Sequence, residues 1–227
     1  MHPMTAALEH TLIVSCQAYP GEPMRDPRTM AQIAAAVQAG GAAAVRAQGL
    51  EDIRQVKDAV DIPVIGIWKD GDQGVLITPT LDHALAVVDA GADILALDGT
   101  TRPRPDSRTL EQTLTAVRRR FDGPIMADCD SVESAHIAAD LGADIVGTTL
   151  AGYTPARATT IGPDLRLVEE LAQALPTTAL LVAEGRVQTP AHAAAARAAG
   201  ARAVVVGTAI THPTTLTTWF HRALTQP

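Results

Sequence analysis

Lys69 stands directly after an apolar run, residues 64–68, whose composition predicts a strand buried on both faces. Lys57 and Lys69 are the only lysines among 18 Lys and Arg residues, so the sequence uses Arg almost everywhere else that it places a cation. The charge of Arg is effectively permanent, whereas Lys can give up and accept a proton near neutral pH. Lys69 is therefore a candidate proton-transfer group, with a merely solvated lysine at a strand end as the alternative.

Polar or backbone-exposing residues end nearly every predicted strand. In order along the chain, these strand ends are Gln17, Arg46, Lys69, Asp98, Asp128, Thr148, Glu184 and Gly207. Each taken alone has a simpler explanation, because a strand-end Asp is commonly a helix cap and an Arg can be a structural ion-pair partner. Their joint placement favours a single site, provided that the strands lie parallel and bring these ends together.

The elements that would position these residues alternate regularly along the chain. Turns of the Gly-Ala type recur between helix and strand, as in 90–93 and 141–144, which indicates an internal repeat of β/α units. The predicted strands are residues 11–16, 43–45, 64–68, 94–97, 125–127, 145–147, 180–183 and 203–206. The predicted helices are residues 29–39, 52–60, 81–90, 109–120, 131–141, 164–174, 190–199 and 213–224, with a lead-in helix or arm over 1–10.

About eight strands alternating with about eight helices predict a parallel (β/α)₈ TIM barrel, an α/β fold, as a single domain over residues 1–227. Its active site should lie at the carboxyl ends of the strands. A doubly wound open sheet is the structural alternative. That fold would want a glycine-rich dinucleotide loop after the first strand, and residues 15–18 do not provide one.

Local signals refine this prediction. Thr80 and Ser131 are suited to cap the helices that follow them. The stretch 150–163 is the longest without a periodic pattern, which is typical of a lid or binding loop rather than a linker. Glycines follow the last two strands at Gly185 and Gly207, where barrels of this kind hold a phosphate on backbone N–H groups. Turn geometry alone is the alternative explanation for these two glycines.

Composition excludes several classes of function. The net charge of −7 and an aromatic content of only 3% argue against nucleic-acid binding, which needs a basic surface and stacking side chains. The N-terminus lacks a signal-peptide pattern, and no apolar run approaches membrane-spanning length. Cys16 and Cys129 lie far apart and form no metal-type pair, which fits a reducing compartment. We therefore expect a cytoplasmic protein without a membrane partner or a metal site.

Ten short motifs, taken together, resemble the bacterial N-acetylmannosamine-6-phosphate 2-epimerases, also called N-acylglucosamine-6-phosphate 2-epimerases. The resemblance runs from about Leu12 to Phe220, and so many motifs in the right order are highly specific. The motifs are Ser15-Cys16-Gln17-Ala18, Val45-Arg46-Ala47, Ile65-Gly66-Ile67-Trp68-Lys69, Ile77-Thr78-Pro79-Thr80, Ala96-Leu97-Asp98, Arg102-Pro103-Arg104-Pro105, Met126-Ala127-Asp128, residues 147–154, Ala183-Glu184-Gly185-Arg186 and residues 205–211.

The resemblance implies a TIM barrel that interconverts N-acetylmannosamine 6-phosphate and N-acetylglucosamine 6-phosphate in sialic acid and amino-sugar breakdown, without a cofactor. It assigns catalysis to Lys69 and Glu184. It assigns substrate contacts to Gln17, Arg46 and Asp128. We add Thr148 and Tyr153 as candidate substrate contacts, and Gly185, Arg186, Gly207 and Thr208 at the last two strand ends as candidate phosphate contacts. It also suggests a homodimer, for which Trp219 and Phe220 in the last helix are candidate contacts.

The chain departs from the family pattern at two places. His212 stands where the family usually has Arg, which would make one phosphate contact weaker or pH-dependent. Cys129-Asp130-Ser131 replaces a segment that usually reads Ile-Ser-Thr, and an additional acid close to the site bears on substrate preference.

Two other classes of function remain open at the level of sequence. A phosphate-binding barrel lyase or synthase, such as the thiamine phosphate synthase type, would share Gly185 and Gly207 but would require a second substrate and usually Mg²⁺. A barrel that only binds a sugar phosphate as a sensor would not need both Lys69 and Glu184.

Overall fold

A computed structural model describes residues 1–225, which form a closed barrel of eight parallel strands. The strands are β1 (Leu12–Cys16), β2 (Ala44–Gln48), β3 (Val64–Ile67), β4 (Ile94–Asp98), β5 (Ile125–Asp128), β6 (Ile145–Gly147), β7 (Leu180–Ala183) and β8 (Ala203–Val206). The helices are α1 (Pro3–Ala7), α2 (Pro27–Ala39), α3 (Leu50–Ala59), α4 (Leu81–Asp89), α5 (Leu110–Arg118), α6 (Val132–Asp140), α7 (Leu165–Ala174), α8 (Pro190–Ala198), α9 (Thr208–Thr211) and α10 (Pro213–Thr225).

Each strand pairs in parallel with the next one along the chain, and β8 pairs back with β1, where Val205 lies opposite Ile13. This closure confirms the predicted TIM barrel and excludes the doubly wound open sheet. It also brings the carboxyl ends of all eight strands to one rim, so residues far apart in sequence become neighbours there.

Alternation along each strand divides the apolar side chains between two layers. One set fills the inside of the barrel, and Ile13, Ile65 and Met126 belong to it. The other set, with Val45 and Leu95 among its members, packs against the surrounding helices. Strands buried on both faces need apolar residues at nearly every position, which explains the near-continuous apolar runs in the sequence.

Gly66 shows how closely the helices approach the strands just before Lys69. A Cβ atom at this position would lie 2.6 Å from Ala92 Cβ and 2.7 Å from Val87 Cγ1, closer than such atoms ever approach. A larger residue would push α4 and the turn after it away from β3. The glycine therefore fixes the spacing of β3, whose end carries Lys69.

Helix ends follow the predicted capping. The hydroxyl of Thr80 accepts a hydrogen bond from the backbone of His83 at the start of α4. Ser131 and Ser134 form a reciprocal capping box at the start of α6. Helix α9 was not predicted, because four residues directly after a strand are too few to show a helical period.

The predicted end of β2 was wrong. The strand continues to Gln48, so Arg46 lies inside it with its side chain 1% exposed. A charge normally ends a buried strand, but here two carboxylates inside the barrel neutralise the guanidinium.

No helix within residues 1–225 combines the length and apolar character needed to cross a membrane.

Candidate active site

A cavity of about 590 Å³ opens at the carboxyl ends of the strands. Eight of the eleven predicted site residues line it: Gln17, Lys69, Tyr153, Glu184, Gly185, Arg186, Gly207 and Thr208. The other three, Arg46, Asp128 and Thr148, are buried close to Glu184, with at most 3% of each residue exposed. The structure thus brings the strand-end residues together as predicted, in two layers.

Lys69 reaches into the cavity, where its Nζ donates a hydrogen bond to Gln17 Oε1 at 2.8 Å. The same Nζ lies 5.6 Å from the centre of the Tyr19 ring. Burial lowers the pKa of Lys69, and the positive charge of Arg46 lowers it further, while Glu184 and Asp128 act in the opposite direction. A larger share of the side chain is therefore free amine near neutral pH than for a solvated lysine.

Arg46 connects the two carboxylates of the site. Its guanidinium binds both oxygens of Asp128, with Nη1 2.9 Å from Oδ1, and its Nη1 also lies 2.7 Å from Glu184 Oε2. Burial by itself would lower the pKa of Arg46, but the two carboxylates outweigh this effect, so the pKa is raised. Such forked binding is specific to Arg and fixes the position of both acids.

Glu184 stands at the end of β7 with its side chain 13% exposed. Burial raises the pKa of this carboxyl, although Arg46 acts to lower it. The structure thus places a carboxyl group with a raised pKa and an amine with a lowered pKa on the walls of one cavity. Groups perturbed in these opposite directions are suited to exchange protons near neutral pH.

Two neighbouring threonines at the end of β6 bond the backbone of Glu184 and the carboxylate of Asp128. The Thr148 hydroxyl donates to the backbone oxygen of Glu184 at 2.9 Å and accepts from its backbone nitrogen at 3.1 Å. The Thr149 hydroxyl donates to Asp128 Oδ1 at 2.5 Å. Sequence reasoning missed Thr149, although it also lines the cavity. Its position directly after a strand-end threonine was the available signal.

Gly185 follows β7 and Gly207 follows β8. These two strands are neighbours in the barrel, and both glycines line the cavity. Gly185 has a φ of +108°, a backbone conformation that residues other than glycine rarely adopt. A Cβ atom on Gly207 would lie 3.3 Å from Ser15 Cβ, so the main chain passes close to β1 here. Thr208 follows as the first residue of α9.

Arg186 was predicted to contact phosphate, but its side chain is hydrogen-bonded to the loop after β6. Its Nε donates to the Gly162 oxygen at 3.0 Å, its Nη1 to the Ala151 oxygen at 2.9 Å and its Nη2 to Thr160 Oγ1 at 3.1 Å. Its guanidinium also lies 5.2 Å from the centre of the Tyr153 ring. Arg186 thus ties down the predicted binding loop, and the loop presents Tyr153 to the cavity.

The two departures from the family pattern have different surroundings. His212 lines the cavity, and its ring nitrogens contact Glu22 and Thr215. Asp130 is buried, and its carboxylate accepts hydrogen bonds from Ser134 at 2.9 Å and from Thr154 at 2.7 Å. The additional acid therefore holds the loop after β6 rather than lining the cavity.

Across residues 1–225, no three His, Cys, Asp or Glu side chains cluster as the ligands of a metal ion would.

Comparisons with known proteins give a consistent result. The profile of a family described as "Putative N-acetylmannosamine-6-phosphate epimerase" matches residues 30–226. A Cutibacterium acnes protein described as a 2-epimerase of the same kind is 56% identical over 219 residues, which cover 96% of both chains. A protein of the same description from Corynebacterium glutamicum is 46% identical over 218 residues, 95% of this chain and 93% of that one.

A solved structure agrees with the sequence comparisons. The N-acetylmannosamine-6-phosphate 2-epimerase from Clostridium perfringens superposes with a TM-score of 0.92 at 36% identity, over 98% of this chain and 96% of that one.

Proposed function

The chain belongs to the N-acetylmannosamine-6-phosphate 2-epimerase family, and we propose on that premise that it interconverts N-acetylmannosamine 6-phosphate and N-acetylglucosamine 6-phosphate. The observation that carries the proposal is the presence of Lys69 and Glu184 on the walls of one cavity. Sialic acid and amino-sugar breakdown is the metabolic setting that we propose for this reaction.

The reaction inverts carbon 2 of the sugar. In the open-chain aldehyde the C2 proton is acidified by the neighbouring carbonyl, so a base can remove it and leave an enolate-like intermediate. A proton returned to the opposite face gives the second epimer. No atom is added or lost overall, so the reaction needs acid–base groups and positioning rather than a second substrate or a cofactor.

We assign the two proton transfers to Lys69 and Glu184. In one direction the free amine of Lys69 accepts the C2 proton and the protonated Glu184 gives one to the opposite face. In the reverse direction the two groups exchange these tasks. The lowered pKa of Lys69 and the raised pKa of Glu184 support this assignment, because both protonation states of each group become accessible near neutral pH.

Gln17 is suited to orient an oxygen of the substrate, since its amide lines the cavity and already bonds Lys69. Arg46 and Asp128, expected from the resemblance to contact substrate, are 1% and 0% exposed in this structure. We propose that they act on the reaction by fixing Glu184, and that they meet substrate directly only where Glu184 moves aside.

We propose that the phosphate lies at the Gly185 and Gly207 turns, with Thr208. Glycine leaves the backbone N–H groups open to close approach by an anion, as at other barrel phosphate sites. Arg186 has its donors occupied by the loop after β6, so we assign it to shaping this end of the cavity. His212 stands where the family usually has Arg, and its ring already contacts Glu22 and Thr215, so we propose that it makes a weaker phosphate contact than Arg would.

Single-substrate turnover tests the proposal. The purified protein should convert N-acetylmannosamine 6-phosphate into N-acetylglucosamine 6-phosphate, followed by ¹H NMR, in the presence of EDTA and without any second substrate. A barrel lyase or synthase would need a co-substrate and Mg²⁺, and a sensor would bind without turnover. Either of those results would contradict the proposal.

We also propose that the enzyme is a cytoplasmic homodimer. Both cysteines are buried and unpaired, which suits a reducing compartment. Helix α10 has no buried residue, and its Phe220 is 72% exposed. An apolar groove of about 480 Å³, lined in part by Ala193, Val204 and Ile210 of α9, is also open and could receive apolar side chains of a second copy.

Light scattering after size-exclusion chromatography tests the dimer. Phe220→Asp should shift the population toward monomer, whereas Ile161→Asp, a change at an even more exposed apolar residue outside α10, should not. A wild-type protein that is monomeric at micromolar concentration would contradict the dimer proposal.

A further inference from the structure

Lys69 lies on the first arm of a short hairpin that follows β3. Lys69 pairs with Ile77 in antiparallel fashion. On either side of this pair, Thr78 N donates to Trp68 O at 2.8 Å and Asp70 N donates to Leu76 O at 3.1 Å. Residues 68–78, called the Lys69 hairpin below, therefore set the height and direction at which the amine enters the cavity.

The two arms of the Lys69 hairpin differ in how firmly they are held. The second arm is buried and attached to β4, since Asp98 N donates to Ile77 O at 3.0 Å and the Thr78 hydroxyl donates to Ala96 O at 2.7 Å. The tip, residues 70–74, is exposed and includes two glycines with positive φ. Burial therefore contributes little to holding the tip in place.

Arg102 reaches the tip from the loop after β4. Its Nη1 donates to the Gly74 oxygen at 2.9 Å, its Nη2 to Asp98 Oδ2 at 2.6 Å and its Nε to Thr100 Oγ1 at 3.0 Å. The same Thr100 donates to Asp98 Oδ1 through its backbone nitrogen, at 2.9 Å, and its hydroxyl, at 2.6 Å. The guanidinium is thus oriented by three acceptors, one of them on the exposed tip.

The buried carboxylate of Asp98 restricts the movement of the Arg102 side chain. Its side chain is 0% exposed and pairs with Arg102, whose side chain is 29% exposed. A buried carboxylate that lost this partner would be left uncompensated, so the pair resists separation. Arg102 cannot swing away from Gly74 without disturbing its bonds to the loop after β4.

We propose that the Asp98–Arg102 pair is a positioning element for Lys69, which holds the tip of the Lys69 hairpin so that the amine stays against Gln17 and faces Glu184. The proposal rests on the proposed function, since Lys69 is taken as the proton-transfer group. Arg102 also lines the cavity, but each of its three side-chain nitrogens donates to a protein group, so we assign its effect to the hairpin rather than to the substrate.

His83 also holds the Lys69 hairpin, which limits the loss of activity expected when Arg102 is replaced. The ring of His83 lies 4.3 Å from that of Trp68, and its Nε2 lies 3.3 Å from Asp70 Oδ2. Loss of Arg102 would therefore loosen the hairpin without releasing it entirely. A displacement of the amine by about 1 Å is enough for a rate loss of up to 10²-fold.

The test compares Arg102→Gln with Arg54→Ala, which removes an arginine from an exposed pair with Glu51 on the outer surface. We expect Arg102→Gln to lower kcat about 10- to 100-fold with KM changed less than about threefold. Hydrogen–deuterium exchange of residues 70–74 should become faster. Arg54→Ala should leave all three quantities at their wild-type values.

The pH profile gives a readout that a purely structural role of Arg102 would not change. The groups that face Lys69 are the charges of Arg46, Asp128 and Glu184 and the Tyr19 ring, and Arg102→Gln alters none of them. Water entering beside a loosened hairpin should move the basic limb of the kcat profile of Arg102→Gln to higher pH, toward the ordinary pKa of lysine.

An unchanged kcat, or a rise in KM alone, would overturn the positioning role, the second result indicating a direct substrate contact. If Arg102→Gln does not fold, Arg102→Lys replaces it, and it should show a smaller fall in kcat because a single ammonium cannot reach all three acceptors. An inactive wild-type enzyme would refute the proposed function instead. The exchange of residues 70–74 would still decide whether Arg102 holds the hairpin.

Discussion

Arg46 and Glu184, 138 residues apart in sequence, form an ion pair inside the barrel with Nη1 of Arg46 2.7 Å from Oε2 of Glu184. The same guanidinium binds Asp128, so one residue on β2 fixes acids at the ends of β5 and β7. The carboxylate that we assign to proton transfer is therefore held from across the barrel rather than by its own loop. This arrangement preorganises the site before substrate binds.

Removal of Arg46 should destabilise the protein strongly. Arg46→Ala would leave two carboxylates buried without a partner, so we expect the free energy of unfolding to fall by about 3–5 kcal/mol. Urea denaturation measures this change. The control Arg54→Ala breaks an exposed ion pair of 3.5 Å and should change the free energy of unfolding by less than about 1 kcal/mol. Equal effects of the two variants would contradict the account of Arg46.

The pH dependence of kcat/KM should report the lowered pKa of Lys69. The mechanism needs Lys69 and Glu184 in opposite protonation states, so activity should be highest between their two pKa values and should fall as pH rises through the pKa of Lys69 in the free enzyme. Because burial and Arg46 lower that pKa, the midpoint of the basic limb should lie below the ordinary 10.5. A midpoint at or above that value would show that the cavity does not tune Lys69. Lys69→Arg, with its permanent charge, should be inactive across the range.

Gly185→Ala tests the phosphate end of the cavity, with Gly142→Ala as its matched control. Both glycines have positive φ, +108° and +90°, and neither would bring a Cβ within 3.4 Å of another atom. Both variants should therefore lose about 1–3 kcal/mol of stability from backbone strain. Gly185→Ala alone should also raise KM about tenfold or more, since a hydrogen bond to a charged group contributes about 1.5–3 kcal/mol. Similar KM values for the two variants would remove Gly185 from phosphate binding.

The sequence predicted the barrel because helix and strand alternate with a local period and end in local turn signals. It also predicted that Lys69 and Glu184 share a cavity, because both follow parallel strands whose ends meet at one rim. Arg46 was placed at a strand end because charge normally marks one. Its two carboxylate partners lie 82 and 138 residues away, and no pattern in the sequence around Arg46 predicts them.

Other parts of the site depend on contacts that have no local pattern. Arg186 stands after β7 beside Gly185, where a phosphate contact was predicted, whereas no individual role was predicted for Arg102 after β4. In the structure each guanidinium bonds the backbone of a neighbouring loop, at Gly74 for Arg102 and at Ala151 for Arg186. Loop conformation decides between these two uses of an arginine, and the sequence does not specify it at this level.

Proton exchange at the sugar carbon tests the assignment of Lys69 most directly. Wild-type enzyme and the variants Lys69→Ala and Lys57→Ala would each be incubated with N-acetylmannosamine 6-phosphate in D₂O, with deuterium at C2 followed by ¹H NMR. Lys57 is the matched control, because it is the other lysine and its ion pair with Asp93 lies outside the cavity. We predict deuterium at C2 with wild type and Lys57→Ala, and at least about a 10²-fold slower exchange with Lys69→Ala. Exchange by Lys69→Ala at the wild-type rate would contradict the account.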